Sequence, residues 1–327
     1  MRKPSETNVI EYDEAGTAEV LTARTRPLPA AGPGEVTVEV ICAGISHIDG
    51  FIRSGREATW EAEPFPRRSG SDFAGIVVDS SDPRFARGSD VVGHVRSGAQ
   101  ASYLTVPAAA LVKKPKSVSW ETAGGAYLAG VTALDTLDDL RIGAGDTVVI
   151  SAAAGGVGSI EAQLACHRGA TVIGTCGERN FDYLRQLKII PVKYGEGIAD
   201  RIRAAAPGGV TAFIDNFGQD GHELARALGV PESRYRSSED RREVELRLLQ
   251  DDSESVAHGT KQLEMLMELA AAQAFHLLIS GYYPFDDVGL AYADLERLHS
   301  RGKVVLGTHP VSTYRFLKAR DVHDQRS

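Results

Sequence analysis

Cysteine is scarce in this chain. Three thiols, Cys42, Cys166 and Cys176, stand far apart in 327 residues. An odd and scattered set cannot make a disulfide framework and fits buried thiols in a reducing cytoplasm. Positive charge is in deficit too, with 36 Lys and Arg against 44 Asp and Glu and a net charge of -8. No basic cluster is interleaved with aromatics, which argues against a polyanion-binding surface and so against a nucleic-acid partner. Long apolar runs are missing: nothing approaches the roughly 18 residues of a membrane span. Met1-Arg2-Lys3-Pro4-Ser5-Glu6 also lacks the hydrophobic centre of a signal peptide. The expectation is a cytoplasmic protein with a small-molecule substrate and neither nucleic acid nor membrane as partner. Repeats and low-complexity linkers are absent, and a hydrophobic content of 43% over this length is enough for two domains with sizeable cores.

What the sequence does contain is a phosphate cradle. Ser151-Ala152-Ala153-Ala154-Gly155-Gly156-Val157-Gly158 follows the strand-like Asp146-Thr147-Val148-Val149-Ile150 and opens a helical pattern at Ser159. Ile160, Ala162, Leu164 and Ala165 continue that helix, and Gly169 stops it. In such a turn Gly155 lets the backbone approach a pyrophosphate and Gly158 lets the helix pack closely on the strand, while first-turn amides and the helix dipole face the anion. Ala153 replaces the first glycine of the usual fingerprint. The strand before, the helix after and a second strand at Thr171–Thr175 supply the context that the fingerprint needs. The alternative is a strand-to-helix turn with no ligand.

Residues 1 to about 116 read as short alternating strands broken by Gly and Pro: Val36–Ile41, Phe73–Val78, Asp90–Val95 and Ala101–Val106. From Trp120 the period becomes helical, and strands at 146–151, 171–175, 190–193 and 211–215 alternate with helices, which makes a doubly wound unit. Val244, Leu246 and Leu248 alternate with Glu245, Arg247 and Leu249 as an edge strand after the polar stretch Ser233–Asp240. A striped helix follows over His258–Ala272. The segment Phe275–Ser280, a helix over Asp286–His299 and a strand over Lys303–Leu306 close the fold, and the charged residues beyond about 318 are expected to fray.

Several runs in this order carry a resemblance. They are Ile45-Ser46-His47-Ile48-Asp49 with Arg53 and Gly55, Gly70-Ser71-Asp72-Phe73-Ala74-Gly75, Gly130-Val131-Thr132-Ala133, Ala152–Gly158, Gln163-Leu164-Ala165 and Gly302-Lys303-Val304-Val305-Leu306. The chain resembles the medium-chain dehydrogenase/reductase superfamily, in its zinc-independent quinone-oxidoreductase and enoyl-reductase branch, nearly end to end. The resemblance implies an α/β fold: a GroES-like β-rich substrate domain over 1–116, completed by 273–327, and a Rossmann doubly wound parallel-sheet domain over 117–272, with the active site in a cleft between them. It also implies a homodimer, because similar proteins pair exposed sheet edges such as the one read at Val244–Leu249.

Zinc-dependent alcohol dehydrogenases of the superfamily place Cys, His and Cys where this chain has Ser46, Ser71 and Leu128. Leucine ligates nothing, and three scattered cysteines cannot build the structural zinc lobe, so no metal is expected. Without a Lewis acid, alcohol oxidation gives way to conjugated acceptors, which take hydride at an already electrophilic carbon. NAD-preferring relatives put a carboxylate at the position of Gly177. Its absence makes room for a 2′-phosphate, which Arg179 can pair bidentately, with Tyr194 at a family position beside it. NADPH is therefore the expected cofactor. Arg179 also reads as a solvated charge with Glu178 as a local partner. Thr132 and Asn216 match positions near the nicotinamide ribose, or serve as capping and loop residues.

Ser46 stands where the family often has a cofactor-contacting Asn and has a shorter reach. His47 matches a tyrosine that delivers a proton in some polyketide enoyl reductases, and histidine can do the same near neutral pH. The other reading is a loop histidine bonded to backbone. Asp49 and Asp72 read as structural carboxylates accepting backbone N–H bonds. Tyr127, Tyr282 and Tyr283 line the cleft or pack in the core. The function so read is an NADPH-dependent reductase of a quinone or an α,β-unsaturated carbonyl, in one version a natural-product tailoring enoyl reductase. Its alternative is a catalytically silent NADPH-binding sensor or partner-binding subunit.

Overall fold

The computed structural model describes residues 4–57, 63–219, 221–297 and 301–308, and the tail beyond 318 lies outside them. The chain divides into two compact units. One takes the described residues of 1–128, 247–271 and 278–327, the other 129–246 with 272–277. Among the described residues no helix is long and apolar enough to cross a membrane.

The first unit begins with β1 (Glu6–Tyr12), β2 (Thr22–Pro27), β3 (Glu35–Ile45), α1 (His47–Arg53), β4 (Arg67–Arg68), β5 (Asp72–Ser80), β6 (Asp90–His94), β7 (Tyr103–Pro107), β8 (Leu111–Lys113) and α2 (Trp120–Gly125). Alternation builds its centre: Val36, Val38 and Val40 of β3 are wholly buried and share a core with Phe73, Val77, Val91, Val106 and Leu111. Each such valine contributes about 1.5 to 3 kcal/mol. β3 pairs antiparallel with β5 on one side and with β7 along its first half. A Cβ at Gly75 would stand 2.2 Å from the Glu39 carbonyl oxygen, so β5 crosses β3 too closely there for any side chain.

The chain then runs through α3 (Tyr127–Asp139), β9 (Thr147–Ile150), α4 (Gly156–His167), β10 (Thr171–Cys176), α5 (Phe181–Gln186), β11 (Ile190–Lys193), α6 (Ile198–Ala205), β12 (Ala212–Ile214), α7 (Gly221–Ala227), β13 (Tyr235–Arg236) and α8 (Ser238–Leu248). The five strands form a parallel sheet in the order β11-β10-β9-β12-β13. Val148, Val149 and Ile150 are buried, as a central strand covered on both faces requires. The order reverses at β9, and such a reversal opens a ligand crevice at the carboxyl ends of the strands.

The edge strand expected at Val244–Leu249 is not there: Ser238–Leu248 is a helix. Buried residues fall at Val244, Glu245, Leu248 and Leu249, a helical repeat that the alternation of side-chain types concealed. The polar stretch before it holds the start signal. Asp240 N–H donates to Ser237 Oγ at 3.0 Å and Ser237 N–H to Asp240 Oδ2 at 2.8 Å, a reciprocal cap. With no strand there, the sheet-edge argument for a homodimer loses its footing in these residues.

The remaining elements are α9 (Ser253–Ala271), β14 (Ile279–Pro284), α10 (Val288–Glu296) and β15 (Lys303–Gly307). β15 pairs antiparallel with β3, and β14 runs parallel to β15, so the last strands of the described chain join the sheet of β3 and β5, while β1, β2 and β4 form a separate sheet. Segment 272–277 groups instead with the parallel-sheet unit, where Gln163 exchanges hydrogen bonds with the His276 backbone at 2.8 and 3.1 Å.

The sequence boundary placed the helix of α9 in the dinucleotide domain, but side-chain bonds tie it to the β-rich unit. Thr260 donates to the Ala109 carbonyl at 2.8 Å, which leaves its lone pairs for His94 Nε2–H at 2.9 Å. His94 also stacks on Tyr127, with centroids 4.1 Å apart and planes 7° apart. Burial drives the His94 imidazole down from 6.5 to about 4. A depressed value in the folded state means that the neutral ring's contribution is complete above about pH 6.5 and is lost as pH falls toward about 4. The stability difference between wild type and His94→Phe should therefore shrink by about 3 kcal/mol over that window in urea unfolding. A difference independent of pH would contradict the neutral, buried ring.

Candidate functional site

In the parallel-sheet unit the turn expected to cradle phosphate forms around one close approach. Ala152 adopts a positive φ of 48°, and its carbonyl accepts the Gly155 N–H at 2.9 Å. A Cβ at Gly158 would lie 2.6 Å from that carbonyl oxygen. Only glycine lets the first turn of α4 fold down on the strand end. Gly155 is the helix N-cap and offers no side chain, so the amides of Gly156, Val157 and Gly158, in half-buried or buried positions, find no acceptor within the helix. Ala153, in place of the first fingerprint glycine, is accommodated opposite Gly174, where an added Cβ would meet the Ala153 methyl at 2.7 Å.

At the end of β10, Gly177 lies under the exposed ring of Tyr194. A Cβ on Gly177 would sit 3.5 Å from the tyrosine oxygen, so the structure brings these two expected site residues together. Arg201 fixes the loop that carries Tyr194 by donating to the carbonyls of Lys193, Glu196 and Gly195 at 2.8 to 3.1 Å. Arg179 is exposed on the turn after Gly177. Glu178, its possible local partner in the sequence reading, pairs with Lys193 at 3.0 Å.

Beyond β12, Asn216 donates its backbone N–H to Ser151 Oγ at 2.7 Å, and that hydroxyl donates to Asp215 Oδ1 at 2.7 Å. The Asn216 side-chain nitrogen reaches Glu161 Oε2 at 2.5 Å. Asn216 Oδ1 and the hydroxyl of the wholly buried Thr132 have no hydrogen-bond partner. Such orphaned polar atoms fit a ligand that supplies the missing partner.

The β-rich unit assembles a second polar group around Lys303. This buried ammonium donates to the Ile45 carbonyl at 2.8 Å and to Ser46 Oγ at 2.7 Å. Asp49 accepts the Ser46 N–H at 2.8 Å. Asp72 accepts Ser71 Oγ–H at 2.6 Å and the Leu128 N–H at 3.1 Å, so both carboxylates are built into the fold. Burial raises Asp49 to about 6, against the Ser46 bond and the Lys303 charge, with Asp72 adding to the rise. Burial also raises Asp72, against Lys303, Ser71 and Leu128. In the sequence Lys303 stands within the run Gly302–Leu306. Its signal was a lone charge opening an apolar strand, which demands buried counter-charges. His47 is exposed in the first turn of α1.

Tyr127 and Tyr283 resolve as core residues: Tyr127 donates to the Leu248 carbonyl at 3.0 Å and Tyr283 to Asp294 at 2.8 Å, both wholly or nearly buried. Of the positions compared with zinc ligands, Ser71 is engaged with Asp72, and Leu128 offers only its backbone. Among the described residues no group of three or more His, Cys, Asp or Glu could hold a metal.

Residues 32–116 match the alcohol dehydrogenase GroES-like domain, and residues 180–306 match the zinc-binding dehydrogenase model. The two matched domains, in this order, are those of the medium-chain dehydrogenase/reductase superfamily, which the chain resembles. A fission yeast (Schizosaccharomyces pombe) protein named "Probable quinone oxidoreductase" is 31% identical over 171 residues. The match covers 51% of each, so the chain spans about half the length of that relative. The quinone oxidoreductase structure from Coxiella burnetii superposes with a TM-score of 0.78 at 26% identity, over 93% of this chain and 100% of that one. The Escherichia coli quinone oxidoreductase complexed with NADPH gives 0.76 at 25%, over 92% and 99%.

Replacing glycine by alanine inside a helix usually stabilises by about 0.5 to 1 kcal/mol. At Gly158 the sign should reverse: the clash with the Ala152 carbonyl predicts a loss of about 1 to 3 kcal/mol in denaturant unfolding. Gly155→Ala, whose Cβ would stand 3.2 Å from the same oxygen, should cost less. A Gly158→Ala protein as stable as wild type would refute the close approach.

Proposed function

We propose that the protein is an NADPH-dependent reductase that needs no zinc and that delivers hydride to a quinone or to the β-carbon of an α,β-unsaturated carbonyl. The observation that carries this reading is the cradle of Gly155–Gly158 on a parallel sheet whose second strand ends in Gly177 beneath Tyr194 rather than in a carboxylate. The orphaned atoms of Thr132 and Asn216 and the close approach at Gly158 fit a dinucleotide. The names of the similar quinone oxidoreductases, and the NADPH in the E. coli structure, support it further.

Amides of Gly156, Val157 and Gly158 would hold the pyrophosphate, Arg179 and Tyr194 the 2′-phosphate, and Thr132 and Asn216 the nicotinamide ribose. The bound cofactor supplies the hydride. The chain's own part is positioning and proton supply. Ser46 Oγ accepts from the Lys303 ammonium, so its own proton is left to be donated outward, and the buried charge behind it strengthens that donation. A developing oxyanion on the acceptor is stabilised by such a donor. His47 delivers the proton that completes reduction of an enone, since an enolate must be protonated on carbon, whereas a reduced quinone takes protons from solvent. No zinc is needed because Leu128 and two serines replace a ligand set. A tailoring enoyl reductase remains the more specific version of the same chemistry.

NADPH oxidation with a panel of quinones and enones, with and without chelator, tests the reading. Turnover that survives chelation is expected, and Arg179→Ala should weaken NADPH about tenfold to a hundredfold while sparing NADH. Tight NADPH binding without turnover would favour a silent binding protein, and activity lost with about one zinc per chain would refute the metal-free chemistry. His47→Phe should lower kcat about a hundredfold on enones and much less on quinones, leaving NADPH affinity nearly unchanged. Equal enone turnover would return His47 to a structural residue.

A further inference from the structure

Glu161 lies in the second turn of α4 and is wholly buried, with Oε2 bonded to the Asn216 side-chain nitrogen at 2.5 Å and Oε1 without a partner. That nitrogen also points toward the Ser151 carbonyl at 3.4 Å. An ionised carboxylate can only accept, so it dictates which end of the Asn216 amide faces it. The other end, Oδ1, is left as a buried acceptor with no partner. Strand order says what such an acceptor meets. The sheet runs β11-β10-β9-β12-β13, and dinucleotides lie across the carboxyl ends of the strands at the reversal. With the 2′-phosphate residues after β10 and β11 and the pyrophosphate amides after β9, the other half of the ligand falls toward β12, from which Asn216 emerges.

We propose that Glu161 is a positioning residue for the dinucleotide: by engaging the Asn216 nitrogen, it presents Asn216 Oδ1 as an acceptor to a hydroxyl or amide donor on the nicotinamide half. This rests on the NADPH reading above. The device is sensitive to pH. Burial raises the Glu161 carboxyl to about 7, opposed by the Asn216 bond and by Arg241 of α8 and Arg236 of β13, with Glu245 of α8 adding to the rise. Once protonated, Glu161 donates as well as accepts and can satisfy either end of the amide. The acceptor is then no longer held toward the ligand, and affinity falls as pH drops through about 7.

The test titrates wild type, Glu161→Gln and Asn216→Ala with NADPH and with adenosine 2′,5′-bisphosphate, which carries the 2′-phosphate but no nicotinamide. The ratio of the two affinities cancels the titration of the shared 2′-phosphate, and the bisphosphate's own 5′-monoester, which titrates at about 6, weakens the bisphosphate at low pH and so acts against the fall expected in the ratio. In wild type the ratio should fall as pH drops through about 7. Glu161→Gln should flatten that dependence and weaken NADPH about tenfold above the transition, the scale of one hydrogen bond, leaving the bisphosphate unchanged. Should Glu161→Gln fail to fold, Asn216→Ala must by itself abolish the pH dependence. A ratio independent of pH in wild type, or an equal loss for both ligands in Glu161→Gln, would overturn the proposal. Wild type that binds neither ligand would overturn the NADPH reading itself.

Discussion

The contact on which the nucleotide side of this protein depends is the approach of the α4 backbone to the Ala152 carbonyl. Because Gly158 has no side chain, the helix starts directly at the end of β9, and its first amides are left with neither an intrahelical acceptor nor a capping side chain. A buried or half-buried row of unpaired donors costs free energy unless something fills it. The neighbouring strands give that row its context: Gly177 keeps the end of β10 open, and Ser151 and Asp215 lock the turn after β12 by side-chain bonds. First-turn donors at a sheet reversal, among loops that side-chain bonds satisfy, are what the proposed anion-binding role requires.

The β-rich unit answers a different constraint, a buried ammonium. Lys303 enters with an apolar strand and has to be compensated there, which accounts for the presence of two buried carboxylates from distant segments, Asp49 after β3 and Asp72 at the start of β5. Neither is held as a free proton carrier; each accepts a backbone N–H. The consequence reaches Ser46, whose hydroxyl accepts from Lys303 and keeps its own proton to give. A serine in place of a longer amide thus acquires a charge behind it. The same two physical rules, pairing of buried charge and satisfaction of buried polar groups, shape both units.

The parts of this account that were legible in the sequence are those encoded locally. Gly155, Gly158 and Gly169 mark the cradle and the helix stop by conformational need, and the strands at 171–176 and 190–193 follow from apolar runs between turn residues. The short strands β1, β2, β4 and β8 went unread, because they gain their order from neighbours and carry little pattern of their own. Val244–Leu249 reads as a strand because large and charged residues alternate there, while the Ser237–Asp240 cap that starts a helix lies in the polar stretch before it. Glu161 and Lys303 were invisible as site residues for another reason. Their partners, Asn216 in one case and Ser46, Asp49 and Asp72 in the other, are brought to them by tertiary structure alone.

The central claim is that the unpaired amides at the start of α4 are the anion-binding element, and amide hydrogen exchange measures them one by one. NMR or fragment-resolved exchange of the free protein should find Gly156, Val157 and Gly158 exchanging rapidly, since helix hydrogen bonds do not protect a first turn. Saturation with NADPH should slow these three amides selectively, more than residues later in α4 that are already bonded. Exchange at Gly156–Gly158 that stays unchanged while NADPH is bound would contradict the account.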